Sequence, residues 1–122
     1  MAAPLALLQG TLDVLILKTL SWQPMHGYAV SRHIRTRSGE AFFVEDAALY
    51  QALHRLERRG WVRSEWGLSD TNRRAKYYAL TDAGRAQLRA ETATWRRYVR
   101  AVAAVLDAPA GAALPGAAPD PA

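Results

Sequence analysis

Apolar positions along this chain recur first with the period of a helix, then of a strand, then of a helix again. From Thr11 to Ser21, Leu12, Leu15, Ile16 and Leu20 share a broad helical face, with Thr11 as the expected N-cap. Val14 and Leu17 make this segment apolar nearly all round, so burial against more than one neighbour, including a second subunit, is expected. Gln23-Pro24 ends it, because proline disfavours helical geometry in the residue before it. A second helix is predicted from about Gly27 to Ser38, anchored by Val30 and Ile34, with Tyr28, Arg32 and Arg35 projecting and Gly39 as the stop. Ala41 to Val44 is an apolar connector, readable as a strand fragment or a tucked loop.

The sharpest pattern spans Asp46 to Arg59. Leu49, Leu53 and Leu56 fall on one face, while Ala47, Gln51, His54, Arg55 and Arg58 fall on the other. Glu45 or Asp46 suits the start and Gly60 the left-handed end. A helix with an apolar back and a basic, hydrogen-bonding front suits a reader of something anionic. After Gly60 the period drops to two. WVRSEWGLS and RAKYYALT, joined around Asp70-Thr71-Asn72, read as a two-stranded hairpin with Arg73, Arg74 and Lys76 at its tip.

The helical period returns at Thr81 and holds to Leu106, with Thr81-Asp82 as the cap. Leu88, Thr92, Trp95, Val99, Val102 and Leu106 keep alternating spacings of four and three, a heptad seam, while Arg85, Arg89, Arg96, Arg97 and Arg100 occupy the far side. That length exceeds what a small core needs, so pairing with a second copy is expected along this stripe. Residues 107–122 are rich in Ala, Pro and Gly and are expected to be disordered. The order is three helices, two strands and a long helix. It predicts a mainly α, α+β fold: a winged helix-turn-helix over residues 1–80, a dimerisation helix over 81–106 and a tail over 107–122.

Composition strengthens this picture and removes others. The 122 residues fit one small domain with an appendage, and four Trp, five Tyr and two Phe allow a modest core. Net charge is +5, and every Lys and Arg precedes residue 107, which favours an anionic partner such as nucleic acid or an acidic membrane surface. With no cysteine there is no disulfide, thiol nucleophile or thiolate metal site. His26, His33 and His54 lack metal-ligand spacing, no Gly-rich phosphate loop occurs, and Asp13, Glu57 and Asp82 form no catalytic pair. No cofactor and no enzymatic activity are expected. Leu12 to Leu20 is too short to span a membrane and no signal peptide is evident, so a cytoplasmic protein is expected.

Four stretches carry a resemblance to a known family: LLQGTLDVLILKTL (7–20), PMHGYAVSRHI (24–34), ALYQALHRLERRGWV (48–62) and NRRAKYYALTDAGRAQL (72–88). In this order they resemble a PadR-type transcriptional regulator, of the short subgroup with a single terminal helix. The resemblance implies a homodimer that binds a palindromic operator on double-stranded DNA and represses until a ligand or other signal releases it. It also implies that the third helix enters the major groove and that the wing lies along the backbone or minor groove. Carried onto this chain, it points to Tyr50, His54 and Arg55 on the helix and to Arg73, Arg74 and Lys76 on the wing. Where such helices usually carry Ser-Leu-Tyr-Pro, this chain has Ala48-Leu49-Tyr50-Gln51. The Ser hydroxyl is lost, and an amide able to bond adenine bidentately is gained.

The expected DNA contacts are therefore Tyr50, Gln51, His54, Arg55 and Arg58 on the reading helix, with Arg73, Arg74, Lys76, Tyr28 and Arg32 holding the backbone. Arg58 also lies where it complements the helix dipole, and His26 is expected to hold a turn. For Trp95 two readings stand: packing in the dimer seam, or a pair of indoles about the two-fold axis that sandwiches a small aromatic or cationic effector. Two other functions fit the same chain: a protein-interaction module that never touches DNA, and a small-molecule sensor with weak DNA binding.

Overall fold

The computed structural model describes residues 4–111, which divide into two compact units at residue 92. The first holds α1 (Thr11–Leu20), β1 (Met25–His26), α2 (Gly27–Arg37), α3 (Asp46–Arg58), β2 (Val62–Leu68), β3 (Arg74–Leu80) and the start of α4 (Asp82–Leu106). The remainder of α4 belongs to the second unit. The part of the expected tail from residue 112 onward lies outside the described residues.

The core is built by the faces that the periodicity marks. Ile16, Leu17 and Leu20 of α1, Val30 and Ile34 of α2, and Leu49, Leu53 and Leu56 of α3 are all buried. Ala52, on no expected face, is buried with them, its small side chain admitting close packing of α3. The nearly all-round apolar character of α1 has its explanation in contacts with α2, α3 and β3. Thr11 does not cap α1. Gly10 holds the cap position at φ 87°, a left-handed conformation that glycine adopts without a Cβ penalty. The 41–44 connector is a loop with Val44 buried, Phe42 half-buried and Phe43 outside. Leu7 packs on the core, whereas Leu5 and Leu8 are exposed.

The sheet has three strands where the sequence pattern shows two. β1 pairs with β3 antiparallel, Met25 opposite Tyr78 and His26 opposite Tyr77, giving the order β1-β3-β2. The two residues after Pro24 thus join the wing before α2 begins. β2 and β3 pair from Val62 opposite Leu80 to Leu68 opposite Arg74. Asn72, at φ 62°, takes the left-handed position in the connecting turn, and the turn closes through Ser69, whose amide donates to the Arg73 carbonyl at 2.8 Å. Thr81 caps α4 from just outside it: its Oγ1 accepts from the Gly84 amide at 3.0 Å and donates to the Gly60 carbonyl at 2.7 Å. No helix among the described residues is long and apolar enough to cross a membrane.

Candidate nucleic-acid interface

α2, α3 and the inner face of the wing enclose one open groove of about 1130 Å³. Local chemistry places each wall. His26 starts α2 through Nδ1, which accepts from the Ala29 amide at 3.2 Å, so this histidine caps a helix as well as pairing in a strand. Its ring stacks with Tyr28 and meets Tyr77 edge-on. One turn further along α2, the Arg32 guanidinium lies 5.7 Å from the centre of the Tyr28 ring. A Cβ on Gly27 would come within 2.8 Å of the Tyr50 hydroxyl, so glycine here lets the Tyr50 ring seat against the start of α2. Tyr50 is accordingly fixed at the border of α3, partly packed and 42% exposed.

Of the expected backbone contacts, Tyr28, Arg32, Arg73, Arg74 and Lys76 all line this groove, as do Tyr50 and His54 of α3. Gln51 and Arg58 are exposed on α3 but are not part of its wall. Arg55 is engaged elsewhere. Its Nε donates to Asp13 Oδ2 at 3.2 Å and its Nη2 to Oδ1, an ion pair that ties α3 to the first turn of α1. The hydrogen bond to Asp13 raises the guanidinium pKa above its ordinary value, against a smaller opposing effect of burial. With Asp13 almost enclosed, the pair serves as a clasp between helices.

Lys76 is not at the tip of the wing. Opposite Trp66, it stands on the inner face with Nζ 3.9 Å from Glu57 Oε1 and 5.7 Å from the centre of the Tyr78 ring. Glu57 also accepts from the Ser64 hydroxyl, so one carboxylate at the end of α3 holds both wing strands. Desolvation, then the negative charge of Glu57, raises the Tyr78 phenol pKa. His33, farther along the groove, has its pKa lowered by burial and then by the Arg37 cation. Trp66 and His33 are lining residues that the sequence pattern did not single out. Trp66 shares the inner face of β2 with the core residue Val62, and only the reach of the hairpin past the core reveals that it faces the groove.

A family model, transcriptional regulator PadR-like, matches residues 16–90. The chain belongs to the PadR-like family. Among solved structures it is similar to a PadR family transcriptional regulator from Eggerthella lenta, at 32% identity over 83% of this chain and 86% of that one, with a TM-score of 0.71. A PadR family transcription regulator from Clostridium difficile is 28% identical over 81% of this chain and the whole of that one, at a TM-score of 0.68. A PadR-like transcriptional regulator from Bacillus cereus is 25% identical, covering 83% and 96%, at 0.72. An uncharacterised protein of Lysinibacillus sphaericus is 32% identical over 90 residues, which are 73% of this chain and 82% of that protein. In this PadR-like chain Ala48 and Gln51 are both on the exposed surface of α3.

The second unit presents a different surface. Trp95, Val99 and Val102 are 39%, 43% and 40% exposed and Leu106 is 76% exposed, while Tyr98 stacks on Trp95 with ring centres 6.0 Å apart. Of the remaining seam positions, Leu88 packs partly on the core of the first unit and Thr92 is half-buried.

Proposed function

We propose that this PadR-like regulator is a homodimeric repressor that binds a palindromic operator through the groove-lining face of each winged helix and is released by a ligand or stress signal in the cytoplasm. The observation that carries this reading is the convergence of Arg32, Arg73, Arg74 and Lys76 with Tyr28, Tyr50 and His54 around one groove beside the exposed front of α3. Cations there anchor on phosphates and supply affinity, and the exposed α3 side chains reach base edges and supply sequence preference. Gln51 and His54 are assigned to the bases and Arg58 to the backbone. Arg55 acts through its bond to Asp13, by holding α3 in place. The stripe from Leu88 to Leu106 pairs two copies and sets their half-sites about 34–36 Å apart, one turn of the duplex.

Titrating a duplex from the chain's own promoter region and a random duplex, at several salt concentrations, tests the division of labour. Arg73→Ala is expected to weaken both duplexes alike and reduce the salt slope by about one. Gln51→Ala is expected to weaken the promoter duplex selectively, by about 1–3 kcal/mol. Equal losses on both duplexes for both variants refute the assignment, and no binding by the wild type refutes the DNA-binding reading altogether. The effector reading is supported by the exposed, stacked Trp95 and Tyr98 rings, which offer a flat aromatic surface. It predicts that planar cationic compounds quench tryptophan fluorescence in the wild type and not in Trp95→Ala.

A further inference from the structure

The hairpin is longer than the core beneath it. On its inner face the register pairs Val62 with Leu80, Ser64 with Tyr78, Trp66 with Lys76 and Leu68 with Arg74. Val62, Leu80 and Tyr78 are buried, but beyond them Trp66 and Leu68 are 58% and 66% exposed. Trp66 therefore belongs to neither the core nor its half-buried margin; it faces the groove. Its contact is with Arg74, its diagonal neighbour across the ladder, a position that long side chains reach. The Arg74 guanidinium carbon lies 4.5 Å from the ring centre, the closest cation–ring approach among the described residues.

We propose that Trp66 is a positioning residue for DNA binding, an indole platform that holds the Arg74 guanidinium ready for a phosphate. The proposal rests on the DNA-binding reading of the groove. Stacking occupies the face of the planar guanidinium and leaves its N–H edge open, and that edge is what bonds phosphate oxygens. A side chain with several rotatable bonds, ordered before the encounter, also loses less freedom on binding. The other wing cations are held differently. Lys76 faces Glu57 and Tyr78, and Arg73 in the turn has no ion-pair or ring partner among the described residues. Arg74 is thus the wing cation that is both ordered by a neighbour and left with its donors unspent.

The test is a double-mutant cycle on the full chain, read as affinity for the promoter and random duplexes, with Trp66→Leu, Trp66→Phe, Arg74→Ala and the Trp66→Leu/Arg74→Ala pair. Trp66→Leu is expected to weaken both duplexes about two- to fivefold, the size of an exposed cation–ring contact. Trp66→Phe is expected to keep most of the affinity. With Arg74 already removed, Trp66→Leu is expected to cost nothing more. A loss of the same size with and without Arg74 overturns the proposal, and so does full affinity in Trp66→Leu. Should Trp66→Leu fail to fold, the same cycle run with Trp66→Ser decides by the same criterion; failure of that variant to fold as well shows a structural role and overturns the proposal. A wild type that binds neither duplex defeats the DNA-binding reading and this inference with it, whereas a binding wild type with additive variants defeats this inference alone.

Discussion

α3 and the distal half of α4 are both amphipathic, with apolar residues on one side and arginines on the other, yet they differ in what covers the apolar side. In α3, Leu49, Leu53 and Leu56 are at most 1% exposed. Along α4, Trp95, Val99, Val102 and Leu106 remain open to solvent within one chain. The same sequence device therefore has two meanings. Where the stripe is covered by its own chain it builds the domain, and where it is left open it is the face that the proposed pairing would use. A contiguous exposed stripe of this kind is uncommon on a chain that works alone.

The comparison breaks most sharply where α4 is attacked. Val99→Glu combined with Val102→Glu is expected to convert the protein to a monomer across the micromolar range in sedimentation, and to lower promoter affinity by more than about tenfold because two half-sites no longer act together. Retention of the dimer by this variant would put the subunit contact elsewhere. On the covered side, Leu53→Ala is expected to lower unfolding free energy by about 2–5 kcal/mol in denaturant titrations. A loss below that range would mean that α3 is held more by polar contacts than by its leucines. Asp13→Asn probes those polar contacts and is expected to cost about 1–2 kcal/mol, since Arg55 is only partly screened by water. It should weaken promoter binding as Arg55→Ala does, and the two changes together should cost little more than either alone. Smallest, Thr81→Ala is expected to cost about 1 kcal/mol through the lost cap of α4, with Thr81→Ser restoring it in thermal melts.

Much of this architecture could be read from period alone. The three leucines of α3, the switch to alternation after Gly60 and the return to helix at Thr81 all mark elements whose observed bounds differ by about a residue. What period cannot carry are features set by a distant partner. The strand at Met25–His26 is too short to show alternation and exists because Tyr77 and Tyr78 offer it an edge. Arg55 lies on the polar side of a helical wheel, and nothing near it announces the carboxylate 42 residues earlier. Lys76 is close to the turn in sequence, but register turns it inward, toward Glu57. Candidate contacts in the groove were legible as a basic set. Which of them are already committed to a neighbour, and which remain available, required the tertiary arrangement.

The short strand β1 has a consequence for exchange between relatives. Both its residues pair with β3 and one of them, His26, also caps α2, so the hairpin is not an independent cassette. Transplanting residues 62–80 of another member into this chain would leave Met25 and His26 facing an unfamiliar edge, and the disturbance would reach α2 through the His26 cap. Single exposed positions of α3 such as Ala48 and Gln51 can change without that disturbance, whereas a chimera that exchanges the wing is expected to need the 24–27 segment to travel with it.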